Sequence, residues 1–113
     1  MPTIVDTTIN ASPALKGAYD ALLAKLVSLG PVVVEPKKTS VHLKIRTAFA
    51  GVHARKDHLI VQIVLDAPVT SGRVFKTEQV SKNRFHNHVR VASPQDVDDE
   101  LMSWLRSAYQ LNS

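Results

Sequence analysis

At 113 residues, 44% hydrophobic and 21% charged, the chain has the size and composition of one soluble globular domain. It has no cysteine, which excludes disulfides, thiolate zinc sites and cysteine nucleophiles. The net charge is +4, unevenly spread: residues 31–92 carry eleven basic and four acidic residues, whereas residues 93–113 carry one basic and four acidic.

The opening "MPTIVDTTINASP" has neither a basic segment nor a long apolar run, so no signal peptide is expected there. The longest apolar run, "LIVQIVL", is broken by Gln62 and is far too short to span a bilayer. These features imply a cytoplasmic protein with no membrane partner, organised as a single domain over residues 1–113 with an ordered core at about 12–110.

"ASPALKGAYDALLAKLVSLGP" predicts the first helix. Ser12 can cap the free N–H groups of its first turn and Pro13 suits the first helical position. Leu15, Tyr19, Leu22, Leu26 and Leu29 recur at helical spacing and form one apolar stripe. Gly30 and Pro31 end it.

From there the apolar period becomes 2. A short strand in "VVVEPKK" ends at Pro36. "SVHLKIR" alternates cleanly, with Val41, Leu43 and Ile45 on one side and His42, Lys44 and Arg46 on the other. "FAGVHAR" is a further strand in which Gly51 suggests a bulge. A tight turn at Lys56-Asp57 leads into "HLIVQIVL", the most apolar strand and the expected centre of the sheet. "DAPVTSG" is a loop by composition. "RVFKTEQV" is a weaker strand, and "SKN" turns the chain into "RFHNHVRV". No stretch here can hold a crossover helix, so antiparallel meander connections are expected.

"ASPQDVDDELMSWLRSAYQL" predicts the second helix, with Ser93 as cap, Pro94 as first helical residue and a stripe of Val97, Leu101, Trp104, Leu105 and Ala108. Asp96, Asp98, Asp99 and Glu100 crowd its start, where negative charge offsets the helix dipole. That explanation outweighs a cation site, since no calcium-loop spacing is present.

The expected fold is therefore α+β: an antiparallel sheet of four to five strands with an N-terminal and a C-terminal helix packed on one face. The other face is open. Alternation places His42, Lys44, Arg46, His86, His88 and Arg90 there, with Ile60 and Val64 near its centre.

The four glycines are isolated, so there is no phosphate-binding loop, and neither a GxSxG elbow nor an HExxH pair occurs. No catalytic residue and no cofactor are implied. His86 and His88 could face one metal ion, with His42, His53 or His58 as a third ligand, but Arg84, Arg90 and Lys44 nearby disfavour a bound cation. Glu35-Pro36-Lys37 has the Glu-x-Lys pattern of a metal-dependent phosphodiester hydrolase, yet the only upstream acids are Asp6 and Asp20, and Pro36 disrupts the strand.

Anion binding suits the residues best, because Arg and Lys pair with phosphate or carboxylate and His adds directional hydrogen bonds. Lys37, Lys38, His42, Lys44, Arg46, His53, Arg55, His86, His88 and Arg90 are the expected contacts to an anionic ligand or nucleic acid. Only 5% of the chain is aromatic, and Tyr19, Phe85 and Trp104 are assigned to the core, so base stacking has little support. The competing reading is a protein partner or homodimer docked on the open face.

"GPVVVEPKKTSVHLKIRTAFAGVHARKDHLIVQIVL" and "VSKNRFHNHVRVASPQDVDDELMSWLRSAY" resemble a bacterial domain of unknown function, family 5655, over about residues 13–110. The resemblance is most specific at "EPKKTS", "TAFAGVHARKD" and "NRFHNHVR". It implies recurring roles for Lys37, Lys38, Thr39, Ser40, Phe49, His53, Arg55, Lys56, Arg84, His86 and His88, joined into one site, and no established activity. The order of elements also looks like the frataxin-like and YjbR-like arrangement, an analogy of architecture that carries no function.

Overall fold

A computed structural model describes residue 9 and residues 11–112. The chain forms a helix α1 (Pro13–Leu26), six strands β1 (Val33–Pro36), β2 (Val41–Lys44), β3 (Ala48–Ala54), β4 (Leu59–Leu65), β5 (Val74–Ser81) and β6 (Arg84–Val91), and a closing helix α2 (Asp99–Leu111). All pairings are antiparallel. The fold is α+β as the alternation implied, with one strand more than expected.

The Ser12 hydroxyl accepts from the Leu15 N–H at 3.4 Å, with Pro13 opening α1. The helix then tightens into a 3-10 turn, Val27–Leu29, and stops at Gly30 with φ 132°, a conformation that favours glycine. A Cβ at Gly30 would also collide with the Tyr109 hydroxyl, which donates to the Pro31 carbonyl at 2.9 Å.

The second helix starts later than the sequence pattern suggests. Pro94–Asp96 form a separate 3-10 turn, and Ser93 makes no side-chain cap. Asp98 is the cap of α2, accepting from the Leu101 N–H at 3.0 Å. Aspartate caps as well as serine does, and the break lets Val97 turn inward to 1% exposure.

The sheet order is β1-β2-β3-β4-β6-β5. The meander holds from β1 to β4, but β5 goes to the outside and β6 returns between it and β4. Buried Asn87 secures this detour. Its side-chain oxygen accepts from the Val69 N–H at 2.9 Å and the Thr77 hydroxyl at 3.2 Å, and its amide donates to the Ala67 carbonyl at 3.3 Å. The β4–β5 connection is also fastened to α2: Arg73 donates to Asp98 and Glu100 at 2.8 and 3.2 Å and to the Asp96 carbonyl at 2.8 Å.

One core joins both helices to one face of the sheet. Leu15, Ala18, Leu22 and Leu26 of α1 and Leu101, Leu105 and Ala108 of α2 pack with Val41, Leu43, Val52, Leu59, Val61, Ile63, Val89 and Val91. Each buried large side chain contributes about 1.5–3 kcal/mol relative to exposure.

Three pairing irregularities place aromatic and aliphatic side chains outside the alternation. Gly51 is not one of them, since it pairs regularly with His42 and Gln62. Phe49 is the extra residue opposite Leu43–Lys44. It is fully buried, edge-on to Tyr109 at 5.3 Å. In β5, Phe75 and Val80 are the extra residues, and both remain exposed at the sheet edge. A bulge redirects a side chain in this way.

Candidate anion-binding face

One lateral row crosses the open face through all six strands. The register aligns Glu35, His42, Gly51, Gln62, His88 and Lys76 from β1 to β5. A neighbouring row holds His53, Ile60 and Arg90, and Val64 pairs with His86 on the other flank. Alternation along each strand turns these side chains away from the helices.

Gln62 is the hub. Its side-chain amide nitrogen meets Nδ1 of His86, and the same side chain hydrogen-bonds His53. The imidazoles do not collapse to one point. His42 and His88 stand three strands apart, about 14 Å at the usual strand spacing. Among the described residues, no three His, Asp or Glu side chains are placed to hold a metal ion.

Instead the face has two hollows. The larger, about 300 Å³, lies over Gly51. His42 stands on one side of it, Arg84 and His86 on the other, with Ala48, Val64 and Val80 as apolar lining. The second, about 220 Å³, is lined by His53, Arg55, Ile60, Phe75, Lys76 and His88. The Phe75 ring there lies 6.1 Å from the His88 ring, tilted, and the Arg90 guanidinium sits 4.3 Å from its centre.

Two carboxylates bracket the face. Glu35 is gripped by Lys37 and by Lys44, the latter at 3.1 Å. Hydrogen bonds from Lys37 and then Lys44 hold its carboxyl down at about 2. Glu78 accepts from His88 at 3.1 Å and pairs with Lys76 at 3.5 Å. Partial burial holds His53, His86 and His88 below the ordinary imidazole range, against the opposing hydrogen bonds of Gln62 on His53 and Glu78 on His88. Near neutral pH they therefore act chiefly as hydrogen-bonding groups.

The ten expected contacts thus separate. His42 and His86 flank the larger hollow, and His53, Arg55 and His88 line the smaller. Arg90 lies over Phe75. Lys37 and Lys44 are engaged by Glu35. Lys38 is exposed in the β1–β2 turn and Arg46 in the β2–β3 turn. Of the residues tied to the family resemblance, Phe49 belongs to the core and the others do not form a single site. Sequence reasoning missed Gln62, Phe75 and Val80. The two bulged residues break the period-2 pattern, so alternation alone gives no signal for them, whereas Gln62, a polar residue inside "LIVQIVL", was a signal available to be used.

Residues 4–112 match the family described as Domain of unknown function (DUF5655). No curated protein and no solved structure matches the chain. Among the described residues no helix is long and apolar enough to cross a membrane.

Proposed function

We propose that this chain, which belongs to the DUF5655 family, is a small binding module that takes an anionic partner on its open sheet face. The observation that supports this best is the distribution of charge around the two hollows. Arg84 with His42 and His86 borders one, and Arg55 with His53 and His88 borders the other, while the acidic groups Glu35 and Glu78 are already engaged by lysines. Guanidinium and imidazole groups of this kind recognise phosphate or carboxylate. Nucleic acid is one such partner, and the cytoplasmic location expected from the sequence is part of the same reading.

The test is titration with a single-stranded oligonucleotide and with small phosphate and carboxylate anions over a range of salt concentrations. Binding should weaken as salt rises, with a slope for the oligonucleotide that counts the phosphates contacted. Affinity that is absent at low salt, or indifferent to salt, would remove the nucleic-acid version.

Self-association is the second reading, and a different surface favours it. Val27, Val33 and Val34 are exposed by 74, 56 and 41% around the free edge of β1. A concentration-dependent dimer in sedimentation would support it, and a monomer at high concentration would count against it. The hydrolase reading has the least support, because both oxygens of Glu35 are held by lysines.

A further inference from the structure

We infer that the ligand of the Gly51 hollow is a compact organic anion, with one phosphate or carboxylate head and a small apolar body. This rests on the reading of the open face as an anion-binding surface, and narrows it from a surface to a site.

Glycine at position 51 is what makes the space. Its neighbours in the row are His42 and Gln62, both long side chains. Its backbone does not require glycine, since Gly30 is the one glycine with positive φ among the described residues. Crowding does not require it either. A Cβ at position 51 would lie 3.5 Å from the Gln62 side-chain oxygen and 3.7 Å from the Val41 carbonyl, ordinary contacts. Glycine inside a strand lowers stability relative to alanine, so what it contributes here is the missing methyl group: an open floor.

The volume of about 300 Å³ is at the small end of the range for ligand sites. Its lining is divided. Ala48, Val64 and Val80 offer apolar surface, and His42, Arg84 and His86 offer charge and hydrogen bonds. That division fits a ligand with an apolar body and an acidic head. It fits a polyanion less well, because the lateral row through Gly51 begins at Glu35, and Glu78 stands beside His86 and His88 at the far edge. A phosphate chain following the row would start against the Glu35 carboxylate and end at Lys76, which Glu78 already pairs, whereas a single anion at the centre meets neither carboxylate.

The experiment uses phenyl phosphate and benzoate as probes, with inorganic phosphate and a single-stranded oligonucleotide for comparison. Amide chemical shifts of the isotope-labelled protein locate binding. Phenyl phosphate or benzoate should shift Gly51, Gln62 and His86 saturably, at least about tenfold more tightly than inorganic phosphate. Which of the two binds more tightly identifies the head group. Gly51→Ala should weaken that binding by about tenfold or more while leaving the unfolding temperature unchanged or slightly raised. Arg84→Met should weaken it similarly through loss of charge, without filling the floor. Wild-type affinity in both variants overturns the cleft assignment. Salt-dependent oligonucleotide binding with no response of Gly51 or Gln62 to either aromatic anion also overturns it, and leaves the broader anion reading standing. No binding by any probe overturns both.

Discussion

On the covered side of β4, Val61 lies between Val52 and Val89 with no exposure. One residue further on, facing the other way, Gln62 lies between Gly51 and His88. The strand backbone is common to both; the rules of occupancy differ. On the covered face the positions along β2, β3 and β4 are filled by aliphatic or aromatic groups, and the side chains are chosen by volume. On the open face the row through Gln62 sets a missing side chain at Gly51 among polar ones, and Gln62 bonds to His53 and His86 in the rows beside it. The first arrangement gives stability and tolerates little change. The second leaves shape and charge available to something outside the chain. The same short stretch of β3 contains both, with Phe49 sealed against Tyr109 and Gly51 left bare.

The sharpest way to break this contrast is to substitute those two residues in parallel. Phe49→Ala should cost about 3–5 kcal/mol, read by chemical denaturation, because it opens a cavity beside Tyr109. Gly51→Ala should be neutral or stabilise by up to about 1 kcal/mol. Similar losses from both would mean that the open face is packed like the covered one.

Asn87 is the exception on the covered face, polar and with no exposure. Asn87→Leu keeps the bulk but abandons the Val69 N–H, the Thr77 hydroxyl and the Ala67 carbonyl. A loss of about 1–3 kcal/mol is expected, with faster amide exchange at Val69. An unchanged exchange rate would show that the β4–β5 connection is held without it.

Smaller effects should follow pH. His53, His86 and His88 have folded-state values below the unfolded imidazole value, so between the two the unfolded chain binds more protons. Their contribution is present above the unfolded value and is lost as pH falls through the folded values. Thermal stability should therefore decline on acidification below about pH 6.5, and His86→Gln should reduce that decline. Glu35, held at about 2, acts in a lower window: its stabilisation is present above the ordinary carboxylate value and is lost as pH falls toward 2. Near neutral pH, His88→Gln should change stability by no more than about 0.5 kcal/mol, the smallest effect of the set.

The architecture was legible where the periodicity was regular. "SVHLKIR", "HLIVQIVL" and "RFHNHVRV" keep period 2, and their assigned faces hold, with Val41, Leu43, Val61, Ile63, Val89 and Val91 inward and Ile60 and Val64 outward. The first helix was legible from both its ends. The start of the second was not, because "SPQD" and "DDEL" offer two capping sequences in succession and tertiary burial of Val97 selects the later one. Strand order was not legible, since a loop of eight residues does not specify which neighbour the next strand joins. Packing of the loop by Asn87 and Arg73 specifies it. The candidate site was half legible. The imidazoles and their face could be read from alternation, but their division into two hollows depends on Phe75 and Val80, placed by bulges, and on a glycine whose importance lies in an absent side chain.

The place of β6 between β4 and β5 also governs how the chain comes together. The first three strands pair with their immediate successors, so the contacts among β1 to β4 are local and can form early. The next partner of β4, however, is β6, and on a ribosome it emerges only after β5. Until the β5–β6 hairpin arrives, β4 presents a bare hydrogen-bonding edge in its most apolar sequence, "LIVQIVL", the kind of segment that recruits other chains. The β5–β6 hairpin is therefore the built-in protector of the nascent sheet. Chains truncated before residue 74 should be aggregation-prone out of proportion to the residues removed.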